Sequence, residues 1–504
     1  MNISNWITTN ARFSPAKAAL IFVDKTWTYK ELEAEIARVA SVLKHELGVQ
    51  KGDRVGILSF NRPEYLTLLF ACARLGAMLN PINWRLEVPE LMFICENAGH
   101  KVLLLEKAFD KLVGPFQEKG LTGAVIGFDY SPNDGKVWSE FASKGDAPTD
   151  NVGALEDDIL LVYTSGTTGT PKGAVLTQDN LQWNALNAVH MMNLTAEDHV
   201  LTMLPLFHVG GLNNQTTPAF YSGATVTLHD KFDPADTLEA INSAQISVAC
   251  FVPAIMAACI NMPKWDATNF ERLRLIVTGS TLVPTYLSDH FREKDVTVQE
   301  MYGLTETAPV SVYHRPDSDF SKIGSTGLPG LHTAIRIVDL EDQDVPPREE
   351  GEILIKGPNV MRGYWQNPEA TADTFLGDWF RSGDIGYQDE EGYVYIKDRK
   401  KNMIISGSEN IYAAEVERVL YQHPAVIECA VIGRKDTKWG EVPIGIIATA
   451  EGESVTADEL HEHMAGKLAR FKHPKEYIFA DELPKNAMGK IQHFLVREQF
   501  KYID

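Results

Sequence analysis

An apolar run, Ile159-Leu160-Leu161-Val162-Tyr163, leads without a break into Thr164-Ser165-Gly166-Thr167-Thr168-Gly169-Thr170-Pro171-Lys172-Gly173. The run predicts a short buried strand. The loop behind it carries three glycines, which reach backbone conformations closed to other residues. It also carries several hydroxyls and one lysine as donors. A strand that opens into such a loop can wrap phosphate groups with its backbone N–H groups. A flexible Ser/Thr/Gly linker is the plainer alternative, but linkers seldom follow so apolar a strand. The loop is not a Walker A motif, because Pro171 and Gly173 stand where that motif needs Gly and Ser/Thr.

The chain around this loop has the texture of a layered α/β protein. Thr28-Tyr29-Lys30-Glu31 is a capping-box pattern. Behind it Leu32, Ile36, Val39, Leu43 and Leu47 recur at helical spacing. Val55 to Leu58 predicts a buried strand, about Pro63 to Leu75 a second helix, and Pro89 to Gly99 a third. Val102 to Leu105 predicts another strand. This rhythm implies a sheet with much parallel pairing. Between about 325 and 400, short β-like runs alternate with Gly, Pro and Asp turns, which predicts a β-rich subdomain. Lys397 to Lys401 is a polar break. Beyond it a compact α+β module is expected, with a helix over Ala414 to Leu420 and strands at Ala430 to Ile432 and Gly445 to Ala450. A second helix there opens on the capping box Thr456 to Glu459. A module of about 100 residues is a viable domain.

The chain's 504 residues are too many for one core, and 44% hydrophobic with 23% charged residues is ordinary for a globular protein. The net charge of −21 argues against general binding to nucleic acid or to anionic membranes. A polyanionic substrate stays compatible, because a local nest of N–H groups can hold phosphates on an acidic protein. The cysteines Cys72, Cys95, Cys250, Cys259 and Cys429 form no C-x-x-C and are odd in number, so neither a disulfide framework nor a zinc site is expected. The first residues show no basic stretch followed by an apolar run, and no uncharged apolar stretch approaches the length of a membrane span. A reducing cytoplasm is the reading taken.

The loop at Thr164–Gly173 resembles the signature loop of the adenylate-forming superfamily, which includes acyl-CoA synthetases, firefly luciferase and peptide-synthetase adenylation domains. Further motifs stand in that superfamily's order. They are Pro205-Leu206-Phe207-His208, Met301-Tyr302-Gly303-Leu304-Thr305-Glu306-Thr307, and Trp379-Phe380-Arg381-Ser382-Gly383-Asp384. After them come Lys397-Asp398-Arg399-Lys400-Lys401 and Asn486-Ala487-Met488-Gly489-Lys490. The resemblance spans nearly the whole chain and is closest to fatty-acyl-CoA and 4-coumarate or feruloyl-CoA ligases. It implies a large N-terminal domain over 1–397, a hinge over 398–401 with Lys401 as its pivot, and a small mobile lid over 402–504. It also implies a two-step reaction. A carboxylic acid and ATP first give an acyl-adenylate and diphosphate. Coenzyme A then takes the acyl group and releases AMP.

The roles that follow are those the resemblance implies. Thr164, Ser165, Gly166, Thr167, Thr168, Gly169 and Lys172 would hold the leaving diphosphate. Thr305 would bond the α-phosphate, and Glu306 would ligate Mg²⁺, for which a carboxylate is the expected hard donor. Asp384 would take the ribose hydroxyls, with Arg399 beside it. Gly279, Ser280, Thr281, Glu300, Met301, Tyr302 and Gly303 match the strip around the adenine and the acyl tunnel. Lys490 would reach from the lid to the adenylate as a mobile point charge. His208 would orient the carboxylate or gate the pocket; a satisfied core histidine is the plainer reading. His461-Glu462-His463 makes no H-E-x-x-H motif and reads as a solvated helix face.

The acid is less constrained. No carboxylate follows His208 in Val209-Gly210-Gly211, which disfavours an amino-acid substrate. Malonyl-CoA synthetases place an Arg where Met301 stands, which disfavours a dicarboxylate. Met301 adds bulk where many relatives have Gly, which points to a medium-chain fatty acid or a compact, hydroxycinnamate-like aromatic acid. Ser408 replaces the second glycine of the family's Ser-Gly-Gly-Glu-Asn, a glycine that lines the pantetheine tunnel in relatives. A slower thioester step is therefore expected. Loading of an acyl-carrier protein is the alternative to CoA transfer. A non-catalytic relative is disfavoured because Thr305, Glu306, Asp384 and Lys490 are all present. The expected partners are the acid, ATP and CoA, with no nucleic acid. A homodimer is left open.

Overall fold

The computed structural model describes the chain apart from residues 133–134, 142–143, 146–148, 165–170, 244, 280–282, 319–320, 323, 408, 451–452, 486–488 and 501–504. Among the described residues the strands form four sheets, of nine, eight, five and five strands. The nine-stranded sheet is parallel through Ala18–Phe22, Thr225–Leu228, His199–Thr202, Val248–Cys250, Leu275–Thr278 and Thr297–Tyr302. Antiparallel strands close both of its edges. The eight-stranded sheet has Arg54–Leu58 at its parallel centre and ends on the antiparallel strands Asp158–Thr164, Lys172–Thr177 and Gly363–Tyr364.

Helices fill the layer between these two sheets. The capping box at Thr28 forms, and the helix Tyr29–Ser41 buries Leu32, Ile36 and Val39. The helix Pro63–Leu75 begins with proline at its first turn and ends on Gly76 in the left-handed conformation. All its residues but Glu64 are buried, as expected of a helix with apolar neighbours on every side. One continuous core joins side chains of both sheets, such as Leu20, Val226, Val55 and Leu160, to Ile353, Phe380 and Val394 of a five-stranded antiparallel subdomain. The large N-terminal part is thus one packed body that includes the expected β-rich region.

The small C-terminal part has its own sheet and separate apolar clusters on its two faces. The helix Ala413–Leu420 and the capped helix Ala457–Met464 stand where the periodicity predicts them. The strands are longer than expected, Val426–Asp436 and Gly440–Thr449. The second starts five residues early because Pro443 sits inside the ladder opposite Gly433, where a proline would ordinarily argue against a strand. The helix His493–Gln499 near the C-terminus gave no sequence signal, being only seven residues long. No helix among the described residues is long and apolar enough to cross a membrane.

Candidate active site

Thr164 and Lys172 are partners in the antiparallel ladder between Asp158–Thr164 and Lys172–Thr177. The glycine-rich segment is therefore a hairpin connection. It does not lead into a helix, so no helix dipole stands behind it. Ser165, Gly166, Thr167, Thr168 and Gly169 lie outside the described residues, as do Ser280, Thr281 and Ser408. At the loop's far end the Lys172 ammonium stands 5.2 Å from the centre of the Tyr364 ring. Tyr364 is there because the short strand Gly363–Tyr364 pairs antiparallel with Lys172–Thr177, placing Tyr364 opposite Ala174.

The Tyr364 hydroxyl donates to Glu306 Oε1 at 2.9 Å. Thr305 and Glu306 open a single 3₁₀ turn, and both are buried. Around that turn the Leu304 amide donates to Thr307 Oγ1 at 3.0 Å, and Asn359 Nδ2 donates to the Thr307 carbonyl at 2.7 Å. Backbone crowding fixes the approach. A Cβ on Gly303 would lie 1.6 Å from the Pro309 carbonyl oxygen, and one on Gly279 would lie 2.6 Å from that of Met301. Both positions require glycine because another backbone passes too close for a side chain. Among the described residues no group of three or more His, Cys, Asp or Glu could hold a metal. A single buried carboxylate fits Mg²⁺ nonetheless, since that ion keeps waters and binds through one or two carboxylates plus substrate phosphates.

Asp384 is nearly fully buried and takes a partner on each oxygen. The Tyr302 hydroxyl donates to Oδ2 at 2.6 Å, and Arg399 Nε donates to Oδ1 at 2.6 Å. Asp384 and Arg399 face each other in the ladder between Trp379–Gln388 and Val394–Arg399. Burial, then the Asp384 carboxylate, pushes the Tyr302 phenol well above its usual range. The Asp384 charge raises the Arg399 guanidinium.

The small domain reaches the same place. Lys490 is half-buried, and burial followed by the neighbouring Arg399 cation lowers its pKa to about 8, against the pull of Asp384 and Asp398. Gly489 lines a cavity of about 220 Å³ together with Asn61, Trp84, Pro205, Val252 and Ala254 of the large domain. Pro205 opens the turn that carries His208. Burial lowers the His208 pKa to about 4, so the ring is neutral near pH 7. Its Nδ1 accepts the Gly210 amide at 2.9 Å, which assigns the remaining proton to Nε2.

Glu300 is half-buried, and its pKa is raised to about 6 by burial, opposed by Arg418 of the small domain and by Arg292. Met301 is buried beside Gly279, where an added Cβ would come within 3.0 Å of the Met301 sulfur. Lys401 lies exposed in the turn Lys400–Asn402 between the two domains. Sequence reasoning missed Tyr364 as a partner of Glu306. Its contact with the loop depends on pairing between strands distant in sequence, which no local pattern reveals.

Two buried carboxylates, Glu306 and Asp384, thus stand with Tyr364 and Lys172 on one side and with Tyr302, Arg399 and Lys490 on the other. The sequence matches the AMP-binding enzyme family over residues 7–365 and the AMP-binding enzyme C-terminal domain over residues 415–490. The chain belongs to this family and is an AMP-forming acid–CoA ligase that uses ATP, Mg²⁺ and CoA. It is 43% identical over 503 residues to the indoleacetate–CoA ligase of Aromatoleum aromaticum, covering 99% of this chain and 98% of that one. It is 38% identical over 498 residues to a feruloyl-CoA synthase of an Amycolatopsis species, covering 99% of each. Its fold is similar to the o-succinylbenzoate CoA synthetase of Bacillus subtilis solved with its acyl-adenylate intermediate, with TM-score 0.88, 34% identity and coverage of 99% and 98%. That enzyme has also been solved with ATP and a magnesium ion.

Proposed function

We propose that the acid is a compact aromatic monocarboxylate, of the arylacetate or hydroxycinnamate kind. The observation that carries this reading is Met301, whose buried side chain fills the space beside Gly279 between two strand ends. A long alkyl chain would have to displace it. The names of the two similar enzymes, acting on indoleacetate and on a feruloyl group, support an aryl acid over a medium-chain fatty acid.

In this reading the domains are 1–397 and 402–504, joined by a hinge at 398–401 with Lys401 as pivot. The acid carboxylate lies between the His208 Nε2–H and the Lys490 ammonium and attacks the α-phosphorus of ATP. Lys172 and the loop from Thr164 hold the departing diphosphate. Thr305 bonds the α-phosphate. Asp384, with Arg399 and Tyr302, takes the ribose hydroxyls, and Gly279, Ser280, Thr281, Glu300 and Gly303 border the base. Glu306, held by Tyr364, is the ligand for Mg²⁺, which neutralises phosphate charge when bound. Catalysis here is chiefly positioning and charge stabilisation. After the small domain turns, the loop around Ser408 borders the path by which the CoA thiol reaches the adenylate. The reaction belongs in the cytoplasm, where ATP and CoA are supplied.

The test is CoA-dependent AMP release across indole-3-acetate, ferulate, 4-coumarate, benzoate, octanoate and palmitate. The aryl acids are expected to give the highest kcat/KM. A clear preference for octanoate or palmitate overturns the substrate assignment. Adenylate formation without free thioester would point to a carrier-protein acceptor.

A further inference from the structure

Asp398 is the first residue of the proposed hinge, yet its backbone is still paired into the large domain's sheet. It lies in the strand Val394–Arg399 and stands opposite Ile385 in the β-rich sheet. The next strand, Ile404–Ser406, already belongs to the small domain's sheet. Yet Asp398 Oδ2 accepts the backbone N–H of Ala414 at 2.9 Å, across this boundary. Ala414 lies in the first turn of the helix Ala413–Leu420, whose own N-cap residue, Tyr412, makes no side-chain capping bond. The first turn of a helix leaves orphan N–H groups that an aspartate satisfies well. Here that acceptor comes from the other domain. The Asp398 carboxylate is buried and is held in place through Oδ1, which accepts the Arg399 amide at 2.6 Å and Asn402 Nδ2 at 3.4 Å. Two further charge contacts join the same helix region to the large domain: the Tyr412 hydroxyl stands near Glu350, and Arg418 stands near Glu300.

We propose that Asp398 is a positioning residue for adenylation, capping a small-domain helix from the large domain and so favouring the orientation that brings Lys490 to Arg399 and Asp384. The backbone of Asp398 is fixed by its ladder. If the small domain turns about the segment after it, the helix leaves the carboxylate behind and loses its cap. Asp398 thus stabilises one orientation and contributes nothing to the other. The inference rests on the reading that the small domain serves the two half-reactions in different orientations.

The experiment uses the full chain and an active aryl acid. Pyrophosphate exchange reports adenylation, and thioester formation from supplied acyl-adenylate and CoA reports the second step. Asp398→Ala should slow exchange about tenfold, the size of a lost helix cap, and leave the second step unchanged or faster. Asp398→Asn should recover only part of the exchange rate, since asparagine caps about as well as aspartate but its amide has one oxygen to serve the two sides that Ala414 and Arg399 occupy. If the alanine chain does not fold, Asp398→Glu takes its place with the same split expected, because it shifts the acceptor oxygen by one methylene. Equal loss in both steps, or no loss in exchange, overturns the proposal. Lys490→Ala is measured alongside. If it also depresses both steps equally, the two-orientation reading fails. If it spares the second step while Asp398→Ala does not, the role of Asp398 alone is refuted.

Discussion

Arg399 Nε and Asp384 Oδ1 meet at 2.6 Å, directly across one rung of an antiparallel ladder. Because Tyr302 donates to the other oxygen, the carboxylate is oriented before any ligand arrives. Asp384→Asn keeps the shape but loses the charge that holds Arg399. Bonds to charged groups contribute about 1.5–3 kcal/mol, so kcat/KM for ATP should fall about 10- to 100-fold. Steady-state kinetics with ATP varied at saturating acid checks this. A change confined to the KM of the acid would contradict the assignment to the ribose.

Burial, and then the neighbouring Arg399 cation, lowers the Lys490 pKa to about 8. The ammonium is the useful form and exists below that pH. The kcat/KM for ATP in the adenylation step should therefore decline as pH rises through about 8. The profile of kcat should be flatter, because bound phosphates restore the charge. Lys490→Ala should lower adenylation about 10²-fold or more at all pH values, remove the alkaline decline, and spare thioester formation from supplied acyl-adenylate. Pyrophosphate exchange between pH 6 and 9.5 measures all three.

Tyr364 touches no substrate in the proposed reaction, yet it fixes Glu306 Oε1 at 2.9 Å and stands beside Lys172. Removing the hydroxyl of a residue that orients a metal ligand typically costs about 10- to 100-fold in metal affinity. Tyr364→Phe should accordingly raise the Mg²⁺ concentration needed for half-maximal exchange by about tenfold or more. The KM for the acid should stay near that of the parent. Magnesium titrations at fixed ATP separate the two.

Met301→Gly removes the side chain packed beside Gly279 and should widen acceptance toward longer acids. Deleting so large a buried side chain also costs stability, by about 2–5 kcal/mol for a comparable truncation to alanine. The variant should therefore melt lower while its ratio of octanoate to aryl-acid kcat/KM rises. If the melting point falls and the ratio does not move, Met301 is packing and not a wall of the acyl site.

Local patterns carried much of the fold. The capping boxes at Thr28 and Thr456 and the apolar stretch from about Pro63 to Leu75 each mark a helix that forms. Such signals are local, so neighbouring residues suffice to read them. What escaped depends on distant pairing. The strand Gly363–Tyr364 is two residues long, and only its register against Lys172–Thr177 makes Tyr364 a neighbour of Glu306. The strand Gly440–Thr449 was legible only in its apolar half, because Pro443 masks the rest. Asp398 reads as part of a charged break, and nothing in the chain near it says that its carboxylate reaches Ala414.

Arg399 ends the last strand of the large domain's β-rich sheet, and Ile404 begins the sheet of the small domain. A chain between these two residues can stretch to no more than about 18 Å. The small domain is therefore on a short leash. Whatever face it turns to the cleft arrives at the local concentration of a tethered group, in the millimolar range or above, and not at that of a separate molecule. In the proposed reaction the small domain's residues then reach an adenylate by reorientation, while CoA itself still arrives by diffusion. Lengthening the leash with glycine and serine would dilute the small domain around its own site and expose the mixed anhydride to water for longer.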